Sequence, residues 1–514
     1  MQERQSEQKT FKAAFSVTLI IVLSKCFGFL RDMILAARFG ATPESDAYFM
    51  AYSMVTILAQ IILVCVSSTF VPIYSKILLQ RGSEAADRYT SNILSVFLVI
   101  SVFFSSLALI FAGPLISLFA PGFEGSTYDM TLKLFRIMVP SLVFSAISAL
   151  YSALLNARSR FVPAQLVGFP LSLFVILAAL LFSSAYGITV IALATLVAMF
   201  FQIVVQYPFV RDIHHPRFKL RWKNRYVKQT FLLAGPAFIS VLVNEINQLI
   251  DRSLASGLPE GSLTALNYGY KLLTLVHGVI IVAITTILFS RLSQYAARGD
   301  QVNLAKTVRS SNEIISLIVM PIIAISLVMG ADIIRIVYQR GTFGAEAAEM
   351  TRNAFIFYII GVLPLGMRDV LSRAFYSLQN TRIPMIHGAI GVAVNIGLNL
   401  LLIGPLGLKG LALATSAAFF VTMALLFFSL RRRLKHLGLV GMAGQLLLIA
   451  VASAACGGAA YLVSSLMASS GAFIRLACSS LAGLIVYALL VLFMRVDAVR
   501  EGIRLLLRER KNAA

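Results

Sequence analysis

Four charged side chains interrupt an apolar stretch near the start of the chain, at residues 24–46: Lys25, Arg31, Asp32 and Arg38. A charge at the centre of a bilayer costs about 2.5–3.5 kcal/mol on insertion scales, so such charges usually line a cavity, pair with one another or bind a ligand. On a helix, Lys25 and Arg31 are about 120° apart around the axis and about 9 Å apart along it. They can line one broad face, but they do not converge on one point.

A second group of charges occurs near the middle of the chain, at Asp251, Arg252 and Lys271. Cations spread over two parts of a membrane protein suit a large anion, and phosphate is the usual ligand that gathers Lys and Arg at depth. The structural alternative is that Arg31 and Asp32 satisfy polar partners on neighbouring helices. The residues alone leave both interpretations open.

Asp251 also belongs to a set of oxygen-bearing side chains. Asn395 and Asn399 share one face of a helix, because they are spaced i and i+4, and Thr415 lies on the next predicted helix. A carboxylate, two amide oxygens, a hydroxyl and a freed backbone carbonyl suit a small hard cation such as Na⁺. The alternative is that the asparagines form hydrogen bonds between helices, which is their commoner role in membranes.

Other buried polar residues have plainer expected roles. Arg368, Asp369 and Arg373 lie together on one predicted helix, and we expect them to pair with one another. His277 is expected to be a packing residue.

The elements that carry these residues are membrane helices. The chain has 514 residues, of which 59% are hydrophobic and 13% are charged, and its mean hydropathy is +0.85. Soluble domains contain about 25% charged residues. The ten-residue alternation of a membrane barrel is absent from the sequence, so helices are the remaining way to span a bilayer.

Hydropathy and helix breakers together predict fourteen spans, with boundaries good to a few residues. They run roughly over 12–38, 46–76, 90–119, 130–156, 163–184, 187–210, 229–255, 262–290, 310–337, 351–378, 384–403, 408–430, 440–466 and 471–494.

The net charge of +22 is explained by where the basic residues lie. They cluster in every second loop, so the positive-inside rule predicts a multi-pass protein of the cytoplasmic membrane with both termini in the cytoplasm. There they meet anionic lipid headgroups, and nucleic-acid binding is unnecessary. The tail at 497–514 reads as an amphipathic helix on the inner surface.

An internal repeat organises the spans. Residues 186–201 match 406–421 without a gap, sharing glycine at Gly187 and Gly407, and residues 154–158 resemble 378–382. An offset of six helices preserves orientation, so the halves are parallel repeats around a two-lobed cavity, as in alternating-access transporters. The predicted parts are lobes at 1–222 and 223–436, two extra spans at 437–496 and the tail at 497–514.

Motifs along nearly the whole chain are similar to those of one known family. They are SKCFGFLRD at 24–32, ARFG at 37–40, DAYF at 46–49, FVP at 70–72, APGF at 120–123, LNAR at 155–158, GPA at 235–237, IDRSLAS at 250–256 and ALNY at 265–268. The chain thereby resembles the MviN/MurJ family of the multidrug/oligosaccharidyl-lipid/polysaccharide exporter superfamily. The resemblance implies a flippase, not an enzyme, that moves lipid II, an undecaprenyl-pyrophosphate-linked peptidoglycan precursor, across the bacterial cytoplasmic membrane.

The same resemblance implies roles for individual residues, in a protein expected to act as a monomer without a cofactor other than a coupling Na⁺. The pyrophosphate would meet Lys25, Arg31 and Lys271, and the extra spans at 437–496 would hold the polyprenyl tail. Supporting cavity residues would be Asp32, Arg38, Asp46 and Arg252. The sodium ligands would be Asp251, Asn395, Asn399, the carbonyl of Leu411, and Thr415.

The sequence departs from the family pattern where arginine is usual. Lysine stands at Lys25 and Lys271, which keeps the charge and loses the bidentate geometry of a guanidinium. The usual span 2 arginines are replaced by about Leu58 and Ala59. The alternatives are therefore a flippase for another lipid-linked glycan or, on a weaker footing because its cavity charges are net basic, a cation-coupled multidrug exporter.

Overall fold

The computed structural model describes residues 2–434 and 438–494, and all the regular secondary structure within those ranges is helical. This confirms the expected all-α polytopic membrane fold. The predicted amphipathic tail at 497–514 lies outside the described residues.

The first of two compact units comprises Met1–Thr264 and Gly341–Phe343. Its helices are α1 (Gln2–Phe39), α2 (Pro43–Ile110), α3 (Ala112–Phe119), α4 (Gly125–Met138), α5 (Ser141–Ala157), α6 (Phe161–Gln165), α7 (Gly168–Leu181), α8 (Ser183–Tyr186), α9 (Thr189–Val210) and α10 (Arg225–Ala255).

The second unit comprises Ala265–Arg340 and Gly344–Ala514. The boundary between the units falls within α11 (Ser262–Val276), whose first three residues belong to the first unit. A π-helical segment (His277–Ile281) follows. The other helices of the second unit are α12 (Val282–Ala297), α13 (Gln301–Val337), α14 (Ala345–Ile360), α15 (Val362–Ser377), α16 (Arg382–Leu406), α17 (Leu408–Arg433), α18 (Leu439–Leu466) and α19 (Ala472–Phe493). The lobe limits that the repeat predicts, 1–222 and 223–436, stay a prediction.

The long helix α2 contains two of the predicted spans. Its N-terminus is capped by Thr42, whose side chain accepts a hydrogen bond from the Ser45 amide at 3.4 Å, and Pro43 occupies the first turn. The backbone leaves helical geometry at Gly82, where φ is 79° and ψ is 178°. Glycine tolerates such a conformation because it has no Cβ. Gly82 therefore lies where the loop between spans 2 and 3 was expected.

Ten helices of the described chain are long and apolar enough to cross a membrane, or eleven if α4 and α5 form one bent span. The bend between α4 and α5 is 43° and occurs near Pro140, which lacks the N–H that would continue the helix. A helix lies at each of the fourteen predicted span positions. The number fourteen itself stays a prediction.

Backbone geometry supports the internal repeat. Gly187 and Gly407, matched in the sequence, both have positive φ, at 57° and 55°, and each precedes a long helix. Ser159 and Gln379 have positive φ at the same spacing, at 58° and 55°. This spacing differs by one helical turn from the sequence match of 154–158 with 378–382. The duplication is therefore visible in the fold, but that second match was out of register.

The two extra spans, α18 and α19, pack against each other and against α13. The Tyr487 hydroxyl of α19 donates to the Leu317 carbonyl of α13 at 2.7 Å, and Arg475 donates from Nε to Asp332 at 2.8 Å. Large apolar side chains on these helices remain exposed: Leu447, Leu462, Leu466, Phe473, Leu481, Leu489 and Phe493. Such a surface is typical of helices that face lipid.

Candidate functional site

The first charged group on α1 is an adjacent ion pair. Arg31 donates from Nε and from one terminal nitrogen to the same oxygen of Asp32, at 3.0 and 2.8 Å. Their side chains are 13% and 4% exposed. Because two of the five N–H donors of the guanidinium point to one carboxylate, Asp32 fixes the plane in which Arg31 presents its charge.

Aromatic side chains of α2 lie close to this pair. Tyr48 and Tyr52 stack with ring centroids 5.9 Å apart, and both side chains lie near Arg31. The Tyr48 hydroxyl is 3.2 Å from the Thr195 hydroxyl of α9. Arg31 is therefore held against a polar aromatic surface inside the first unit.

The other cations of α1 have different surroundings. Lys25 and Arg38 are exposed, whereas Arg31 is mostly buried. Near Lys25, α1 packs on α7 through Phe27 and Phe169, whose ring centroids are 5.8 Å apart. Of Lys25, Arg31 and Arg38, Arg31 is therefore the one with a fixed orientation, and the pyrophosphate roles of Lys25 and Arg31 stay predictions.

Asp46 forms a helix cap supplied from another part of the chain. Its two oxygens accept hydrogen bonds from the amides of Gly261 and Thr264, both at 2.7 Å, and from the Thr264 hydroxyl at 2.6 Å. These groups lie at the N-terminus of α11, where backbone amides otherwise lack partners and a negative charge is favoured. The contacts explain why a carboxylate stands here, and its expected cavity role stays a prediction.

Of the residues expected in the middle of the chain, Asp251 and Arg252 are half-buried near the end of α10 in the first unit. Lys271 is half-buried on α11 in the second unit.

Four of the five expected sodium ligands come together in the second unit. Asn399 donates to the side-chain oxygen of Asn395 at 3.0 Å, and Asn395 donates to the Thr415 hydroxyl at 3.4 Å. Thr415 donates to the Leu411 carbonyl at 3.1 Å. All four residues are buried, and the fifth, Asp251, belongs to the first unit. Oxygen atoms are the ligands that a small hard cation prefers, and the sodium site itself stays a prediction.

A polar cluster that the sequence did not assign lies at the π-helical segment. His277 Nε2 is 2.8 Å from Asp369 Oδ2, and Arg368 donates to Asp369 Oδ1 at 3.1 Å. The expectation of Arg368–Asp369 pairing is confirmed, whereas the packing role expected for His277 is wrong. His277 is the first residue of the π-helical segment, where the regular helical spacing that places side chains on one face is interrupted.

Comparison with known proteins gives one consistent family. The family model described as Lipid II flippase MurJ matches residues 35–482. A probable lipid II flippase MurJ from Rhizobium tropici is 30% identical over 457 residues, covering 85% of this chain and 83% of the relative. Its counterpart from Buchnera aphidicola subsp. Baizongia pistaciae is 28% identical over 429 residues, covering 81% and 82%.

Two solved structures have folds similar to that of this chain. The structure titled lipid II flippase MurJ, inward closed conformation, matches with a TM-score of 0.80 at 25% identity, over 93% of this chain and 98% of that one. An inward-facing multidrug resistance MATE family transporter of the MOP superfamily matches with a TM-score of 0.70 at 15% identity, over 82% and 98%. The second likeness is one of fold alone.

Proposed function

Since the chain belongs to the lipid II flippase MurJ family, we propose that it carries lipid II across the membrane by using Arg31 as the oriented cation for the pyrophosphate. The chain is a multi-pass membrane protein of that family. We further propose which residues bind the pyrophosphate, which ion is coupled to transport and how the termini are oriented.

The geometry of the Arg31–Asp32 pair is the observation that supports Arg31 as a ligand of the pyrophosphate. A pyrophosphate needs donors whose direction is already fixed, because ordering a long cation on binding costs side-chain entropy. Asp32 supplies that order by binding one edge of the guanidinium. In the proposal Arg31 binds the pyrophosphate through its guanidinium, while Lys25 and Lys271 add positive charge without bidentate geometry.

In the proposed cycle the headgroup enters the cavity from the cytoplasm and is released outside, while the polyprenyl tail stays in lipid along α18 and α19. Alternating access by relative movement of the two repeats follows from the parallel duplication and the fold shared with MOP transporters. The chemistry is binding and release, so no covalent step is assigned to any residue. Both termini are proposed to be cytoplasmic, and the working unit is proposed to be a monomer.

Sodium is proposed as the coupling ion. Asn395, Asn399, Thr415 and the Leu411 carbonyl would hold it, with Asp251 completing the charge balance. A bound cation would bias the conformational equilibrium by its differential affinity for the two states. Indifference of transport to both a Na⁺ gradient and the membrane potential would remove this part of the proposal.

The experiment that tests the function is replacement of the resident flippase in bacterial cells depleted of it. The wild-type chain is expected to restore growth, and Arg31→Ala to fail despite normal membrane insertion. Arg136→Ala, an exposed arginine on α4, is the matched control and is expected to support growth. Full growth with Arg31→Ala would contradict the role of Arg31.

A second candidate is a flippase for another polyprenyl-pyrophosphate glycan, and lysine at positions 25 and 271 favours it. In that case the wild-type chain would insert normally and still fail to restore growth. The lipid-linked intermediate that co-purifies with the chain would then identify the substrate. Lipid II as that intermediate would remove the alternative.

A further inference from the structure

A polar cleft of about 680 Å³ opens in the first unit beside the Gly82 break of α2. Its lining comes from three places: residues 83–91 of α2, the turn after α5 at Arg158 and Arg160, and the segment after α9 from Asp212 to Lys219. The positive-inside rule assigns these loops to the cytoplasm. None of these residues belongs to the sets proposed for pyrophosphate or sodium.

Hydrogen bonds hold the segment after α9 in an extended form along α2. The His215 amide donates to Asp87 at 3.2 Å, and the Lys219 amide donates to the Ser95 hydroxyl at 2.9 Å. Further along, the Arg221 amide donates to the Asn92 side chain at 2.8 Å. The basic side chains of this segment are thus placed at the cleft by a fixed backbone.

The three carboxylates that line the cleft already have cationic or imidazole partners. Glu84 pairs with Arg88 at 2.9 Å. Asp212 binds Arg160 through two hydrogen bonds, at 2.6 and 3.0 Å. Asp87 lies 2.5 Å from His214 Nδ1. Glu84 and Asp212 are therefore neutralised by arginines, whereas Asp87 keeps its negative charge beside His214, whose pKa is lowered by burial.

The remaining cations of the lining are Arg158, Arg217 and Lys219. Arg158 donates from Nε to the buried Tyr74 hydroxyl at 2.7 Å, and its guanidinium lies over the Tyr74 ring, 5.6 Å from the centroid. This contact fixes the guanidinium and uses one of its five donors. Set against the charge of Asp87, these three cations from two loops leave two positive charges in excess in the cleft.

A buried hydroxyl at the base of the cleft gives an independent sign of a ligand. Ser91 lines the cleft and is 1% exposed, and its hydroxyl has no hydrogen-bond partner among the described residues. A buried polar atom without a partner costs about 1–3 kcal/mol, so proteins seldom keep one without a reason. A ligand oxygen would satisfy it.

We propose that this cleft binds a phosphate group, with Arg158, Arg217 and Lys219 as its cationic ligands and Ser91 as a neutral donor. Phosphate carries several strong acceptor oxygens that suit a fixed guanidinium fork and a hydroxyl together. The group comes from one of two sources, the headgroup of an anionic lipid in the inner leaflet or a phosphate compound in solution. Bound phosphate would tie the turn after α5 and the segment after α9 to α2 beside its Gly82 break.

The test measures thermal unfolding of the purified full-length protein. One arm adds potassium phosphate in detergent, against potassium chloride at the same ionic strength. The other arm compares nanodiscs of phosphatidylcholine with and without phosphatidylglycerol. We expect an increase in Tm with phosphate or phosphatidylglycerol beyond the matched control. A response to phosphate in detergent without one to phosphatidylglycerol in nanodiscs identifies the soluble source, and a response to phosphatidylglycerol identifies the lipid.

Variants locate the response in the cleft. Arg158→Lys keeps the charge and loses the fork, and Arg217→Gln removes a charge; each is expected to raise the apparent Kd about tenfold, as loss of one charge-assisted hydrogen bond would. Ser91→Ala is expected to leave the Tm without phosphate unchanged or higher, because it removes an unsatisfied hydroxyl, and to reduce the phosphate response.

The control is Arg211→Gln, which removes the same charge from the same segment outside the cleft lining. It is expected to respond as the wild type does. The proposal is overturned if neither phosphate nor phosphatidylglycerol stabilises the wild type beyond its control. It is equally overturned if Arg211→Gln weakens the response as much as Arg217→Gln, since a general positive field would then explain the binding.

Discussion

An arginine followed by an aspartate occurs in a membrane helix of each unit, at Arg31–Asp32 in α1 and at Arg368–Asp369 in α15. In α1 both hydrogen bonds of Arg31 to Asp32 lie within a single helix. In α15 the carboxylate reaches across to His277 at the π-helical segment as well. The dipeptide orients a cation in α1, and in α15 its carboxylate also joins two helices.

The difference follows from burial and neighbours. The Asp32 side chain is 4% exposed, whereas Asp369 is 24% exposed. Removing one partner of a more buried ion pair costs more stability, because the remaining charge stays away from water. Removal of the carboxylate is therefore expected to lower the free energy of unfolding more at Asp32 than at Asp369. At Asp369 the loss is shared between two helices.

The largest expected effect is that of Asp32→Ala, which leaves Arg31 buried without its carboxylate. Breaking such a pair costs about 3–5 kcal/mol in the free energy of unfolding. The double variant Arg31→Leu with Asp32→Ala should recover most of that loss and still fail to support growth. Thermal unfolding in detergent checks the first effect. A double variant no more stable than Asp32→Ala would show that the pair is not the cause.

Asp369→Ala is expected to cost less, about 1–3 kcal/mol, because it removes hydrogen bonds to His277 and Arg368 at a partly exposed site. His277→Gln keeps a polar side chain and should cost less still. A double-mutant cycle between positions 277 and 369 measures their coupling. Additive effects would mean that the cross-helix contact contributes nothing to stability.

Asp46 extends the comparison to a carboxylate that binds backbone amides instead of an arginine. Asp46→Ala is expected to cost about 0.5–2 kcal/mol, as loss of an N-cap does. Asp46→Asn keeps an acceptor oxygen and should retain most of the stability. Equal losses in the two variants would show that the negative charge, and not the cap geometry, is what α11 requires.

The smallest expected effect is the pH dependence of a carboxylate–imidazole pair outside the spans. Burial lowers the pKa of His214 below its ordinary value of 6.5, against the opposing pull of Asp87, and His215 lowers it further. The unfolded chain therefore takes up a proton first as the pH falls. The stability contribution is complete above pH 6.5 and declines below it.

Thermal unfolding between about pH 7.5 and pH 5.5 checks this sign. The Tm of the wild type should fall more steeply than that of His214→Gln as the pH decreases. His215→Gln, at an exposed position, should stay close to the wild type, because His215 is the smallest of the causes that shift the pKa of His214. Parallel curves for the wild type and His214→Gln would contradict the role given to His214.

Much of the architecture could be predicted from the sequence, because hydropathy dictates where membrane helices lie. The repeat was visible because Gly187 and Gly407 need the same backbone conformation at a helix boundary. The clustering of Asn395, Asn399 and Thr415 followed from helical spacing on neighbouring helices.

Contacts that depend on irregular backbone could not be predicted. His277 meets Asp369 at a π turn, which shifts helical register without a local sequence signal. Asp46 caps a helix that begins more than two hundred residues later in the chain. In the sequence Ser91 is an ordinary helix residue. Its position in a cleft depends on the segment after α9, which the fold places beside it. For Arg31 and Asp32 the structural alternative was partners on neighbouring helices, whereas the structure pairs the two residues with each other.

Arg31, oriented by Asp32, is proposed to hold the pyrophosphate of lipid II. The most direct measurement is binding of lipid II to the purified full-length protein, compared among the wild type, Arg31→Ala and Arg136→Ala. Loss of Arg31 should raise the Kd by at least about tenfold, since more than one charge-assisted hydrogen bond is removed. Arg136→Ala should bind as the wild type does. Unchanged binding by a correctly folded Arg31→Ala protein would contradict the account.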